Sequence, residues 1–167
     1  MGIHGEEEMI EATLVLVKPD GVMRGLVGEI IKRFEQRGLK IAGIKMMRID
    51  PGFAKEHYIE HVGKAFYKGL EEFITSGPVV AMVIEGVDAV ELVRKIVGAT
   101  EPKSALPGTI RGDYAHVSYS HADEKKISIK NLVHASGNKK DAEREVNLWF
   151  SIEDLHNYTM VHDEHVL

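Results

Sequence analysis

The chain has 167 residues, 44% of them hydrophobic, and a formal net charge of −5 at pH 7. This length suits a single domain with a sizeable core. The negative charge argues against nucleic acid as the main partner, because binding a phosphate backbone needs a broad basic face. Any site for an anion must therefore be local. The absence of cysteine excludes disulfides and thiolate metal sites and favours a cytoplasmic location.

The first eight residues, MGIHGEEE, differ from the rest of the chain. They have neither the basic start nor the apolar core of a signal peptide or membrane anchor, so no membrane partner is predicted. The first strand-like segment begins soon after Met9. We therefore expect residues 1–8 to be a flexible extension and residues 9–167 to form one domain.

The first half of the chain shows strand and helix patterns in alternation. The predicted elements are, in order, a strand over 12–17, a helix that ends at Gly38, a strand over 40–49 and two short helices before Gly77-Pro78. The first strand ends at the turn sequence Lys18-Pro19-Asp20-Gly21. Asp50-Pro51 is typical of an N-cap followed by proline at the first helical position.

The second half begins with 79–84, which is apolar throughout and predicts a central strand. Asp88 is expected to cap the next helix. Residues 98–113 form a long segment without periodicity, and loops of this length are usually functional. Further predicted elements are strands over 117–119 and 127–133, separated by a polar excursion over 121–126, an amphipathic helix carrying Ala142, Val146 and Trp149, and a last helical turn from Ser151.

This order of elements predicts an α/β chain of the α+β sandwich type. We expect a ferredoxin-like split β-α-β arrangement with a four-stranded antiparallel sheet, an extra helical pair and a long loop. Such a fold alone names no function.

Asn131-Leu132-Val133-His134-Ala135-Ser136 places an imidazole between an amide and a hydroxyl at the end of an apolar run. A histidine in this position is a candidate nucleophile. Lys18, Arg94 and Arg111 each lie beside a turn-forming sequence, as cations that gather around a polyphosphate would.

Five motifs follow one another along the chain: VKPDGV at 17–22, EHY at 56–58, SGPVV at 76–80, PGTIRGD at 107–113 and N-x-x-H-x-S at 131–136. These motifs make the chain similar to the nucleoside diphosphate kinase family from Thr13 to about Tyr158. The resemblance implies transfer of the γ-phosphate of a nucleoside triphosphate, with ATP as the expected donor, to a nucleoside diphosphate. It also implies a ping-pong mechanism through a phosphohistidine, Mg²⁺ held mainly through the nucleotide phosphates, and a homo-hexamer or tetramer.

By the same resemblance, five residues take part in the chemical step. His134 is the nucleophile, and Glu145, one helix later, orients it. Ser136 and Lys18 contact the transferring and leaving oxygens, and Tyr58 supports Lys18. The chemistry needs such groups because an imidazole attacks phosphorus well at neutral pH, while fixed cations stabilise the spreading charge.

The resemblance assigns further residues to nucleotide binding, each with an ordinary structural alternative. The assigned contacts are those of Arg94, Thr100 and Arg111 with the non-transferred phosphates, His61 with the α-phosphate, Asn131 with the sugar hydroxyl and Phe66 with the base by stacking. From the residues alone, the cations could be solvated surface charges, and Phe66 could belong to the core. Asn131 and Ser136 could cap turns. Glu145 could pair with a lysine on an exposed helix face, while Tyr58 and Thr100 could be a half-buried ring and a loop hydroxyl.

Two features depart from the family pattern. After His134 the family usually has glycine, serine and an acidic residue, whereas this chain has Ala135-Ser136-Gly137. The segment between Arg111 and Asn131 is also longer than usual, so the second wall of the base slot is left unassigned.

Two other functions compete with the kinase. His57-Tyr58-Ile59-Glu60-His61 fits the H-x-x-E-H pattern of inverted zinc peptidases, in which two histidines hold Zn²⁺ and the glutamate serves as base. A third acidic ligand in a matching downstream helix is not evident. The other alternative is a non-catalytic nucleotide-binding or interaction module with the same fold. Of the three, only the kinase predicts covalent phosphate on His134.

Overall fold

The computed structural model describes residues 10–167, so the predicted extension over residues 1–8 lies outside the described residues. In the first half the elements are β1 (Ile10–Val17), α1 (Pro19–Met23), α2 (Val27–Glu35), β2 (Lys40–Met47), α3 (Pro51–His57), a 3-10 turn (Ile59–His61), α4 (Tyr67–Ile74) and β3 (Val79–Val87). In the second half they are α5 (Ala89–Val97), a 3-10 turn (Pro102–Ser104), α6 (Ile110–Tyr114), α7 (Tyr119–Lys125), β4 (Val133–Ala135), α8 (Lys139–Trp149), a 3-10 turn (Ile152–Asp154) and α9 (Asp163–Val166). Each helix within these residues is too short or too polar to cross a lipid bilayer.

The four strands form one sheet in the order β2-β3-β1-β4, and each neighbouring pair is antiparallel. The predicted fold class is confirmed. The apolar run at the start of β3 is buried and lies between two other strands, as predicted for a central strand. β1 is the other inner strand, and its Leu16 pairs with His134 of β4. The sheet thus brings the candidate nucleophile to the end of β1.

Helices cover both faces of the sheet because the side chains of β1 alternate between them. Val15 and Val17 belong to a core cluster that includes residues of α2 and α5. Leu14 and Leu16 belong to a second cluster, with residues of α3 and α8. Burial of each such side chain contributes about 1.5–3 kcal/mol. The two clusters fix α5 and α8 on opposite sides of His134.

Several local predictions are confirmed. Asp50 accepts a hydrogen bond from the backbone N–H of Phe53 at 2.8 Å and caps α3, with Pro51 at its start. Gly38 has φ +84°, which suits a glycine after the end of α2. Ser151 opens the predicted last helical turn with a capping box.

The predicted strands over 117–119 and 127–133 are wrong. Ser118 accepts from the backbone N–H of His121 at 3.2 Å and caps α7, so the polar stretch after it is helical. β4 begins only at Val133, because Leu132 has φ +72° and its N–H binds the buried carboxylate of Asp20 at 3.0 Å. His134 therefore lies within a short strand rather than after a long one.

The predicted capping of α5 by Asp88 also needs correction. Asp88 occupies the N-cap position, but it has φ 49° and its side chain makes no capping hydrogen bond. Glu11 of β1 provides the acceptor instead, with its Oε2 3.1 Å from the backbone N of Val90. The predicted loop over 98–113 contains one 3-10 turn and the start of α6.

Candidate active site

A cavity of about 260 Å³ opens where β1 ends and the antiparallel strand β4 begins. Its wall includes nine of the residues assigned from the sequence: Lys18, Tyr58, His61, Arg94, Thr100, Arg111, Asn131, His134 and Glu145. Because these residues come from distant parts of the chain, the fold assembles one site from separate motifs.

His134 is the best-placed nucleophile in this cavity. Its side chain is 22% exposed, whereas that of Glu145 is 3% exposed. Nε2 of His134 is in hydrogen-bond contact with Oε1 of Glu145. A carboxylate can only accept, so we assign the imidazole proton to Nε2. The lone pair is then on Nδ1.

Lys18 follows β1 directly and is buried. Its Nζ donates to Oδ1 of Asn131 at 2.8 Å, and its backbone N–H donates to the carbonyl of Leu132 at 2.8 Å. Burial, followed by the charge of Arg111, lowers the pKa of Lys18 to about 8, against a smaller opposing effect of Asp20. The site thus holds a lysine that is easily deprotonated when no anion is present.

Asn131, rather than Tyr58, is the hydrogen-bond partner of the Lys18 ammonium group. Asn131 is also buried, and its Nδ2 donates to the carbonyl of Thr100 at 2.9 Å. One N–H and one lone pair of this amide remain for a ligand, so contact with a sugar hydroxyl stays a prediction. Tyr58 lines the same cavity, and its pKa is raised by burial and then by Glu145, which keeps its hydroxyl protonated.

Arg111 holds the cavity wall together. Its guanidinium donates to three backbone carbonyls, those of Gly98 at 3.0 Å, Asn131 at 3.1 Å and Val133 at 2.6 Å. Burial and then the nearby charge of Arg94 lower its pKa to about 10. Within residues 10–167 no ion pair is formed by Lys18, Arg94 or Arg111. Three cations without a carboxylate partner favour an anionic ligand.

Two assigned residues lie outside this cavity. Ser136 is fully buried, and its Oγ accepts from the backbone N–H of Leu14 at 3.3 Å. Phe66 is 55% exposed, so the alternative that it belongs to the core is wrong. Its ring lies beside the cavity residue His61, with 5.5 Å between ring centroids, and Lys64 Nζ lies 5.6 Å from its centroid. Phe66 is therefore at the mouth of the site.

Four titratable residues of the cavity wall were given no part in a kinase site from the sequence: His57, Glu60, Asp141 and Arg144. Arg144 donates to the carbonyls of Glu56 at 3.2 Å and His57 at 3.3 Å, which ties α8 to the end of α3. Asp141 and Glu145 are four residues apart and share a helix face. That spacing could have predicted Asp141 once Glu145 was assigned.

His57, His134 and Glu145 offer donor atoms that all lie within 4.8 Å of one another. Nδ1 of His57 already accepts from Trp149 Nε1 at 3.1 Å, and the nitrogen of His134 that binds Glu145 carries the proton, so neither of these atoms has a lone pair free for a metal. His61 is not part of this group. Among the described residues the H-x-x-E-H pattern therefore forms no metal site.

A nucleoside diphosphate kinase family model matches residues 11–155. The chain belongs to the nucleoside diphosphate kinase family. A nucleoside diphosphate kinase from Pyrococcus furiosus is 53% identical over 154 residues, which are 92% of this chain and 91% of the relative. One from Thermus thermophilus is 54% identical over 146 residues, 87% of this chain and 99% of the relative.

Solved structures of nucleoside diphosphate kinases are similar to this chain as well. The nucleoside diphosphate kinase from Borrelia burgdorferi, a transition-state mimic with bound vanadate and ADP, matches with a TM-score of 0.90 and 44% identity over 93% of this chain and 96% of that one. The halophilic nucleoside diphosphate kinase from Halobacterium salinarum, in complex with CDP, matches with a TM-score of 0.84 and 47% identity over 94% and 98%. The predicted enzymatic activity, transfer of phosphate from a nucleoside triphosphate to a nucleoside diphosphate, is confirmed. The peptidase hypothesis is wrong.

Proposed function

We propose that this nucleoside diphosphate kinase carries the phosphoryl group on Nδ1 of His134. The observation that supports the proposal is the contact between Nε2 of His134 and Glu145, which leaves the Nδ1 lone pair for attack. Nδ1 forms a bond to the γ-phosphorus, and the bond from that phosphorus to the β–γ bridging oxygen breaks. The nucleoside diphosphate departs with the electron pair. A second nucleoside diphosphate then reverses these steps, which gives ping-pong kinetics.

Glu145 stabilises the intermediate in this proposal. When phosphorus bonds to Nδ1, the ring becomes cationic while its proton stays on Nε2, next to the carboxylate. The charges of Lys18, Arg94 and Arg111 act on the phosphate oxygens, where negative charge spreads in the transition state. Thr100 lies in the same wall and is the proposed hydroxyl partner of a non-transferred phosphate, and His61 is assigned to the α-phosphate.

We propose Mg²⁺ as the cofactor, held mainly by the nucleotide's own phosphate oxygens. The donors of this cavity fit that mode, because the carboxylate of Glu145 is engaged by His134 while those of Glu60 and Asp141 lie on the wall. Oxygen donors that leave room for water suit a hydrated magnesium ion. The ion would neutralise charge on the phosphates.

The base is proposed to stack on Phe66, whose half-exposed ring stands at the mouth of the cavity. Stacking tolerates every nucleobase, so broad base specificity is expected. We also propose a homo-hexamer or tetramer, since the edge strand β2 exposes Ile44 at 50% and Met46 at 61%. A cytoplasmic location is proposed from the lack of cysteine.

Incubation with γ-labelled ATP tests the mechanism. Acid-labile label should map to His134 and should pass to an added nucleoside diphosphate. The His134→Ala variant should take up no label while its nucleotide affinity stays within about threefold of the parent, because the binding energy lies elsewhere in the site. Substantial turnover by that variant would contradict the proposal.

A further inference from the structure

His57, the last residue of α3, packs against the proposed nucleophile. Its side chain is 1% exposed, and its ring meets that of His134 edge to face, with 4.7 Å between centroids. Trp149 also meets His57 edge to face, with 5.5 Å between centroids and 88° between the planes. The proposed transfer uses neither ring nitrogen of His57. A buried imidazole next to the reacting one therefore has no assigned role.

Trp149 fixes the tautomer of His57. An indole N–H can only donate, so Nδ1 of His57, 3.1 Å from Trp149 Nε1, must be the acceptor. The proton of the neutral imidazole is then on Nε2. Within residues 10–167 that Nε2 is buried without a hydrogen-bond partner. A buried donor without a partner costs stability.

His57 is uncharged at neutral pH and does not compete with His134 for Glu145. Its pKa is lowered well below the usual value by burial and then by the facing charges of His134, Arg144, Lys18 and His61. The facing anion is Glu145, whose Oε1 lies 3.9 Å from Nδ1 of His57. Because that nitrogen already accepts from Trp149, it cannot donate to the carboxylate. Oε1 of Glu145 stays with Nε2 of His134.

We propose that His57 is a positioning residue for His134. Its ring restrains the edge of the His134 ring, and its occupied Nδ1 keeps Glu145 for His134 alone. Together these contacts hold His134 in the tautomer with its proton on Nε2 and its lone pair on Nδ1. This inference rests on the proposed function, since it concerns the same nucleophile.

Substitution of His57 by phenylalanine separates positioning from stability. Phenylalanine removes the unpaired Nε2–H but also removes the acceptor of Trp149, so one unpaired donor replaces another and the melting temperature should change little. The Trp149→Phe variant frees Nδ1 of His57 to carry a proton toward Glu145 and compete with His134.

Phe53→Leu is the matched control. Phe53 contacts Trp149 edge to face, with 4.8 Å between centroids, and has no part in the hydrogen bond to His57. This variant should lose packing around Trp149 and keep both the tautomer of His134 and kcat.

The experiment begins with labelling of the parent by γ-labelled ATP, and absence of label on His134 would overturn the proposed function and with it this inference. Steady-state kinetics and the ¹⁵N chemical shifts of the His134 ring are then measured for each variant. Trp149→Phe should lower kcat at least about tenfold with KM for the diphosphate within about twofold, and should mix the His134 tautomers. His57→Phe keeps an aromatic edge against His134 and has no nitrogen to bind Glu145, so it should keep the parent tautomer and should restore kcat when combined with Trp149→Phe. If the double variant does not fold, the two single variants give the same comparison. Labelling of the parent, together with parent-like kcat or an unchanged His134 tautomer in Trp149→Phe, would overturn the inference alone.

Discussion

Lys18 Nζ donates a 2.8 Å hydrogen bond to Oδ1 of Asn131, 113 positions away in the chain. This bond holds an ammonium group in a buried site where the largest effect of a neighbouring charge comes from another cation, Arg111. The pKa of Lys18 falls to about 8 as a result. The charged form of this lysine therefore costs the folded state stability.

Lys18→Met should abolish transfer and raise the melting temperature by a few degrees at pH 7. The folded pKa of about 8 lies below the ordinary value of 10.5, so the charged lysine destabilises the fold at every pH below about 8. Between these two values the unfolded chain binds more protons, and the parent gains stability as pH rises. The stability difference between variant and parent, measured by calorimetry, should therefore shrink from pH 8 to pH 10.5. A difference that stays constant would contradict the assignment.

Binding of ADP should take up protons near pH 8. Phosphate next to Lys18 favours its charged form and raises a pKa that begins at about 8. Calorimetric titration in two buffers of different ionisation enthalpy should show uptake of up to about half a proton per site at pH 8 and less at pH 6.5. The Lys18→Met variant is the control and should lose the uptake. Equal proton uptake by variant and parent would show that a group other than Lys18 takes up the proton.

Glu145→Gln should lower kcat by roughly 10- to 100-fold and leave nucleotide KM nearly unchanged. Glutamine can still accept a hydrogen bond from Nε2 of His134, but it lacks the charge that stabilises the ring once phosphorus is bound. Single-turnover formation of the phosphoenzyme measures the effect. A parent-like rate would show that the carboxylate charge is not needed.

Arg94→Ala and Arg111→Ala should each cost on the order of 2–4 kcal/mol of transition-state stabilisation. They should differ in stability, because Arg111 donates to three backbone carbonyls whereas no side-chain hydrogen bond is recorded for Arg94 in the described chain. Calorimetry should show a clear loss for Arg111→Ala and little change for Arg94→Ala. Kinetics within about twofold of the parent would mean that these cations lie away from the phosphates.

Arg33→Ala should weaken nucleotide binding from outside the cavity. Arg33 joins α2 both to α6 and to the loop before it. Its guanidinium donates to Oδ2 of Asp113 in α6 at 2.5 Å and to the carbonyl of Gly108 in the loop at 2.9 Å. Loss of these contacts frees the segment that carries Arg111, so KM should rise several-fold. Arg37→Ala, an exposed substitution just after the same helix, is the control. Equal effects of both variants would point to general charge rather than to the loop.

The structural elements that could be predicted from the sequence are those set by interactions between neighbouring residues. Apolar alternation, the Asp50-Pro51 cap and Gly38 specify local structure through steric and hydrogen-bonding preferences of neighbouring residues. These local patterns misplaced β4, because the φ angle of Leu132 depends on a hydrogen bond from its N–H to the carboxylate of Asp20, 112 positions away. They also missed α7, predicting a strand over 117–119 and only a polar excursion over 121–126, because aromatic and β-branched residues outweighed the N-cap of Ser118.

The sequence by itself determined the family, the candidate nucleophile His134 and the cations that surround it, because these residues stand in motifs that are contiguous in the chain. Only the tertiary structure decided which atoms contact one another. In the folded chain the hydroxyl of Ser136 accepts a hydrogen bond from the backbone N–H of Leu14, and the ammonium group of Lys18 donates to Asn131. The ring of His57 lies between those of Trp149 and His134. These relationships depend on burial and on contacts between distant segments, and burial is what shifts the pKa of Lys18 and keeps His57 neutral.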